Sequence, residues 1–329
     1  MSILQNRIIG FVIILLILSC NSCQYELKNS KQSLKVATFN CQFLWDGLEP
    51  EEGDPSVYFR HKGNKEMCRE HMADVAQIIK IINADVINLV EVENYQALQY
   101  LNDSFLFSMN YNIGFVEGED HFTGQDVAIL SKHPIRRIYR YTEKGRSGEI
   151  EKSVSKNYIA EIEVGDICFV FIGIHLLSGP MNENRVEYRQ AQADALSQAV
   201  NKKYPEDFHI VIFGDMNDYD EDSDCLDIND HRPISKTLAI LKGRNGENSN
   251  IKLCNIMSFI PKKKRYTSHY DMDGALDVDM NELSAIDHIL VTEKTDKGII
   301  SADIYHDYNP LEISDHYPVM VILDLNALD

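Results

Sequence analysis

The stretch His209-Ile210-Val211-Ile212-Phe213-Gly214-Asp215-Met216-Asn217 is an apolar run that stops on a glycine, an aspartate and an asparagine. Short runs of this kind suit a strand buried on both faces. Asp215 and Asn217 then stand at its C-terminal end. Three other runs end in the same way. Val36-Ala37-Thr38-Phe39 stops at Asn40, Asp85-Val86-Ile87-Asn88-Leu89-Val90 at Glu91, and Phe169-Val170-Phe171-Ile172-Gly173-Ile174 at His175. The order reverses twice: Asp287-His288 precedes Ile289-Leu290-Val291, and Asp315-His316 precedes the run 317–325. If the last two strands lie antiparallel to the others, all six polar groups meet on one rim.

Between these runs lie amphipathic segments, the alternation of an α/β protein. Strands are expected at 34–39, 86–90, 127–130, 159–164, 167–174, 210–213, 285–291 and 317–325. Met72, Val75, Ala76, Ile79 and Ile82 fall at helical spacing, and 183–203 reads as a long helix. Glu93 and Asn94 are expected to begin a further helix. Residues 49–64 read as a surface insertion, 142–156 as a mobile loop carrying Lys144, Arg146, Lys152 and Lys156, and 243–250 as a turn. The segment 218–230 is densely acidic. Cys168 lies in an apolar run and is expected to be buried.

The N-terminus has its own signature. Arg7 precedes an apolar run from 8 to 18, about the length of a signal-peptide core and short for a membrane span. The run ends at Ser19-Cys20, which resembles a bacterial lipobox in which Cys20 carries the lipid. Residues 1–19 are thus expected to be a lipoprotein signal peptide, 20–33 a tether and 34–329 one catalytic domain. The exported, lipid-anchored chain is expected at the cell envelope membrane, as a monomer. The composition is that of a globular protein, 44% hydrophobic and 25% charged. A net charge of -19 argues against a broadly basic nucleic-acid surface. No Cys/His spacing of a zinc site is present.

Converging carboxylates repel one another and need a cation or a shared proton. Oxygen ligands from Asn, Glu and Asp suit a hard ion, Mg²⁺ first and Mn²⁺ or Ca²⁺ as alternatives. Histidines beside them supply acid/base capacity and hydrogen bonds to developing negative charge. Taken singly, Asn40 or Asp215 at a strand end also suits a turn or a cap. The six together suit hydrolysis of a phosphate ester.

The pieces Thr38-Phe39-Asn40, Glu91-Val92-Glu93-Asn94, Gly173-Ile174-His175-Leu176, Gly214-Asp215-Met216-Asn217, Ile286-Asp287-His288 and Ser314-Asp315-His316-Tyr317-Pro318 occur in this order. In this the chain resembles the endonuclease/exonuclease/phosphatase family, from about Lys35 to Leu325, and its deoxyribonuclease-like branch in particular. The resemblance implies a four-layer α/β sandwich of two packed mixed β-sheets flanked by helices. It also implies roles. Glu91 is expected as the principal metal ligand, with Asn40 beside it and Asp315 completing the set. Asp215 aligns or deprotonates the attacking water, and Asn217 fixes Asp215 or the phosphate. His316 contacts the phosphate, Asp287 orients His316, and His175 protonates the leaving oxygen. His288, next to Asp287, is expected to point to the opposite face of its strand.

Arg185 and Arg189 open the long helix in a run similar to one in abasic-site endonucleases of that family, and are expected to bind substrate. Lys262-Lys263-Lys264-Arg265-Tyr266 offers phosphate contacts and a stacking ring. The expected substrate is a nucleic acid, DNA before RNA. A sphingomyelinase-like lipid phosphodiesterase shares the Ser-Asp-His-Tyr-Pro ending, but no exposed aromatic stretch is evident for membrane insertion. An inositol-type phosphatase usually has a Trp-Cys-Asp-Arg-like run where this chain reads Ser284-Ala285-Ile286-Asp287. A non-catalytic binding lipoprotein is the alternative of another class.

Overall fold

The computed structural model describes residues 33–47, 64–120, 122–205, 208–244, 251–275 and 277–328. The expected signal peptide (1–19), Cys20, the expected tether (20–33) up to Ser33 and the segment 48–63 lie outside the described residues. Among the described residues no helix is long and apolar enough to cross a membrane.

Two six-stranded sheets carry the fold. In the first, β15 (Ile299–Ile304), β16 (Val319–Asp324), β1 (Ser33–Leu44), β2 (Val86–Val92), β4 (Asp126–Ser131) and β3 (Asn112–Phe115) lie side by side. In the second the order is β11 (Leu253–Asn255), β14 (Asp287–Thr292), β10 (His209–Asp215), β9 (Ile167–His175), β8 (Lys156–Val164) and β5 (Ile135–Tyr139). Each sheet has one parallel pair at its centre, β1 with β2 and β10 with β9. An antiparallel strand flanks each pair, β16 beside β1 and β14 beside β10. Both sheets are therefore mixed, and the two reversed strands inferred from residue order are the antiparallel ones.

Strand periodicity divides the apolar residues into layers. Val36, Val86, Val90, Phe171, Val211 and Phe213 face the space between the sheets. Ala37, Phe39, Ile87 and Leu89 face outward onto helices α1 (Lys65–Ile82) and α2 (Tyr95–Phe105). Val170, Ile172, Ile210 and Ile212 face the other way, onto α3 (Val186–Lys203). Both faces of the central strands are buried, which is why they read as unbroken apolar runs. The result is the four-layer α/β sandwich.

Local signals fix the element ends. Asn64 caps α1 by accepting from the Met67 N–H, and Asn83 ends it in a left-handed conformation. Asn94 caps α2 by accepting from the Ala97 N–H, so the helix begins where the sequence suggested.

A polar brace crosses the inter-sheet core. Asn88 on β2 donates to Thr38 Oγ1 at 3.0 Å and to the Phe213 carbonyl at 3.3 Å, and accepts from the Tyr158 hydroxyl at 2.9 Å. All four residues are fully buried.

Some sequence expectations are corrected. The segment 142–156 contains a hairpin of β6 (Gly145–Ser147) and β7 (Ile150–Lys152), and Lys156 begins β8. The hairpin packs on α3 so closely that a Cβ on Gly145 would stand 2.2 Å from the Ala195 nitrogen. Cys168 is exposed, because it lies on the outer side near the start of β9. The acidic segment 218–230 is largely paired within the protein. Asp218 meets Arg189 at 3.1 Å, Asp220 meets Lys242 at 2.5 Å, Asp227 meets His231 at 2.6 Å, and Asp230 meets Lys262 at 2.5 Å. Lys242 also reaches Glu221 and Asp222, each at 3.0 Å.

Candidate active site

Strand polarity alone brings the six groups together. The parallel pairs end at one rim, at Asn40 and Glu91 in one sheet and at His175 and Asp215 in the other. Antiparallel β14 starts at that rim with Asp287, in register with Asp215. Asp315 and His316 arrive just before β16, and the Ser314 hydroxyl ties their segment to the Asn40 carbonyl at 2.7 Å.

The backbone at the rim is unusual where the chemistry sits. Glu91 has φ +66° and Asn217 φ +49°, both in the left-handed region that most side chains avoid. Gly214 has φ +144°, and a Cβ there would lie 1.9 Å from the Ile174 carbonyl oxygen, so only glycine lets β10 approach β9 at this point.

Asp215 is the hub. Its Oδ1 accepts from the Asn217 N–H at 2.9 Å. Its Oδ2 lies 3.2 Å from Asn40 Nδ2, 3.5 Å from His175 Nε2 and 3.9 Å from His316 Nε2. Burial, followed by the charge of Asp287, pushes the Asp215 carboxyl up to about 8. Glu91 Oε1 is 3.3 Å from Asn40 Nδ2, and Oε2 accepts from the Phe43 N–H at 3.2 Å. Desolvation, followed by Asp315, raises its pKa.

The two histidines differ in kind. His316 Nδ1 donates to Asp287 Oδ2 at 2.7 Å, and the same oxygen accepts from the Thr267 hydroxyl at 2.8 Å. Burial opposes charge on His316, but the Asp287 carboxylate outweighs it and holds the imidazole pKa well above its ordinary value. His175 is buried, and among the described residues its Nδ1 has no hydrogen-bond partner. Desolvation, then the charges of Lys156 and His316, hold its pKa well below the ordinary value.

The donor set fits a hard divalent cation. Carboxylates from Glu91, Asp215, Asp287 and Asp315 crowd one rim, and Asp287 Oδ1 is buried without a partner. Ligand-type atoms of Asp215, Asp287 and His316 lie within 4.8 Å of one another. Asn40, expected in the metal set beside Glu91, lies between Glu91 and Asp215. It turns its NH₂ toward Glu91 and Asp215, and its Oδ1 accepts from the Gln42 N–H at 3.1 Å.

Asn217 donates its backbone N–H to Asp215, while its side chain donates to the Leu176 carbonyl at 3.2 Å. His288 points away from the rim, with Nε2 at 2.9 Å from the Asp218 carbonyl. Arg189 is corrected from substrate contact to internal strap. It is 0% exposed, and besides Asp218 it donates to the carbonyls of Leu177, Gly179 and Pro180. Arg185 is half-buried and donates to the Ser178 carbonyl at 3.0 Å and to its hydroxyl at 2.6 Å. In the basic run, Arg265 is buried against the carbonyls of Ile260 and Leu226, Lys264 pairs with Asp303, and Tyr266 stacks on His306.

One rim cation escaped the sequence reading. Lys156 stands opposite His175 in the β8/β9 register and pairs with Asp120 at 2.8 Å. Its charge acts on both Glu91 and His175. The signal was a lysine two residues before the apolar run 158–160.

The profile described as the Endonuclease/Exonuclease/phosphatase family matches residues 37–316. No curated protein matches the chain. Among solved structures, an AP endonuclease from Archaeoglobus fulgidus is 16% identical, with a TM-score of 0.59 over 88% of this chain and 99% of that one. An endonuclease/exonuclease/phosphatase from Bacteroides vulgatus is 15% identical, with a TM-score of 0.59 over 89% of this chain and 99% of that one. TDP2 from D. rerio, complexed with single strand DNA product, is 15% identical, with a TM-score of 0.53 over 88% of this chain and 98% of that one. At these identities the likeness is one of fold.

Proposed function

The chain belongs to the endonuclease/exonuclease/phosphatase family, a family of metal-dependent phosphoesterases and nucleases, and from that premise we propose that it is a Mg²⁺-dependent phosphodiesterase that cleaves DNA. The observation that carries this reading is the convergence of Glu91, Asp215, Asp287, Asp315, His175 and His316 on one rim. The solved TDP2 structure with a DNA product supports a nucleic-acid substrate.

Glu91 and Asp315 would hold the cation, which when bound neutralises the phosphate and polarises its P–O bonds. Asp215, held by the Asn217 N–H, aligns the attacking water and takes its proton. His316 on Asp287 donates to a phosphate oxygen. His175, on the same face, would protonate the leaving oxygen, and Lys156 adds a positive charge beside it. We assign the anchor to Cys20 and the working place of the enzyme to the envelope membrane, on the Ser19-Cys20 signature.

A second reading has one observation in its favour. The loop between β12 (Ser268–His269) and β13 (Leu283–Ser284) leaves the rim beside His316 and exposes Tyr270 at 74% and Met272 at 62%. Exposed apolar side chains near the mouth suit a lipid phosphodiester.

Purified protein incubated with supercoiled plasmid, RNA, sphingomyelin vesicles and p-nitrophenyl phosphate separates the readings. DNA cleavage well above the other activities is expected. Lipid hydrolysis with no action on plasmid would replace the nuclease reading by the second one.

A further inference from the structure

A second aspartate–histidine pair lies just off the rim and is not used by the chemistry above. His231 Nδ1 donates to Asp227 Oδ2 at 2.6 Å. Asp227 is itself buried, and its Oδ1 accepts from the N–H groups of Asn229 and His231 at 3.1 and 2.9 Å. The carboxylate therefore both shapes the turn 227–231 and fixes the ring. One face of the imidazole stacks on Tyr219, with centroids 4.8 Å apart and planes 15° apart.

Contacts tie this pair to the rim. Tyr219 lies two residues beyond Asn217, and Asn229, in the same turn as His231, donates to the Leu283 carbonyl at 2.8 Å, next to Ser284. The Ser284 hydroxyl is 2.8 Å from that of Ser268, which bridges to His316. Asp227 Oδ2 also accepts from the Ala285 N–H at 3.3 Å, two residues before Asp287. The contacts run from His316 through Ser268 and the strand 283–284 to the turn 227–231.

With Nδ1 bonded to Asp227 and one face on Tyr219, the ring presents Nε2 and its other face outward, and its side chain is 33% exposed. Among the described residues no hydrogen bond occupies Nε2. A carboxylate on Nδ1 favours the protonated ring, in which Nε2 is a donor, and the His231 pKa is raised by that hydrogen bond. A preorganised donor on a chain of net charge -19, in a turn bonded to the segment that leads into Asp287, is suited to an anion.

We propose that His231, backed by Tyr219 and Asp227, is a substrate-binding residue that takes the phosphate adjoining the scissile one in a polynucleotide. This rests on the nucleic-acid reading above. It adds a subsite for a polymer and a reason to favour polymers over lone diesters.

The test compares KM and kcat of wild type, His231→Ala and His231→Gln on a DNA oligonucleotide and on a dinucleoside monophosphate, which has no adjoining phosphate. For His231→Ala the oligonucleotide KM should rise about tenfold with kcat little changed, the size of one charge-assisted hydrogen bond. His231→Gln, which retains a donor, should recover part of that loss. The KM for the dinucleoside monophosphate should not move. An unchanged oligonucleotide KM, or an equal rise on both substrates, overturns the assignment, the latter because it marks a structural role. A wild type inert on both nucleic-acid substrates overturns the nuclease reading itself, a result visible before any variant is compared.

Discussion

Replacing Asn88 by alanine probes the link between core and site. Asn88 makes three hydrogen bonds that join β1, β2, β8 and β10, and all lie in the fully buried inter-sheet layer. In Asn88→Ala the Tyr158 hydroxyl and the Thr38 hydroxyl lose partners that water cannot replace. The Phe213 carbonyl is less affected, since it lies within the strand pairing of β10. Each orphaned hydroxyl costs about 1–3 kcal/mol, and the space left by the amide adds about 1 kcal/mol. A loss of about 4 kcal/mol is therefore expected in equilibrium urea unfolding. Burial raises the Tyr158 pKa well above its ordinary value, so its hydroxyl stays a donor throughout the usable pH range. Tyr158→Phe alone should cost about 1 kcal/mol, and the double variant less than the sum by about 1 kcal/mol or more. The turnover of Asn88→Ala should also fall, because Phe213 lies two residues before Asp215. A loss under about 1 kcal/mol, or strictly additive effects, would refute the brace.

Other outcomes follow from the same contacts. Arg189→Met should destabilise the protein by about 3–5 kcal/mol in urea unfolding, since it leaves the Asp218 carboxylate buried and unpaired. Its DNA affinity should keep the wild-type salt slope; a slope reduced by about one would restore Arg189 as a phosphate contact. Asp287→Asn should lower kcat on DNA by about 10²-fold or more while Mg²⁺ affinity stays nearly unchanged, because Asp287 acts by holding His316. Metal affinity that drops about tenfold would make Asp287 a ligand instead. Cys20→Ser should abolish lipid-dependent partitioning into detergent; identical partitioning of wild type and variant would remove the anchor.

The fold was legible where both faces of a strand are buried. The runs ending at Asn40, Glu91, His175 and Asp215 are such strands, and residue order at their ends was enough to infer one rim. Edge strands were not legible. Residues 299–304 and 135–139 carry polar or exposed positions and take their strand state from pairing with β16 and β8. Long-range pairing also explains the misread charges. Arg189 looked available because Asp218 and the carbonyls of 177–180 lie elsewhere in sequence. Lys156 looked like loop because the hairpin before it is short and polar. The left-handed backbone at Glu91 carries no sequence signal, since glutamate is not a residue that favours it.

The central claim is that the carboxylate rim works through a divalent cation held by Glu91. It is tested most directly by DNA hydrolysis in wild type and Glu91→Gln, first in excess EDTA and then during Mg²⁺ titration. The account predicts no cleavage by wild type in EDTA and full recovery with Mg²⁺. It predicts that Glu91→Gln, with an unfolding midpoint close to wild type, stays at least about 10²-fold slower at saturating Mg²⁺. Full wild-type cleavage in EDTA, or wild-type rates from Glu91→Gln, would contradict it.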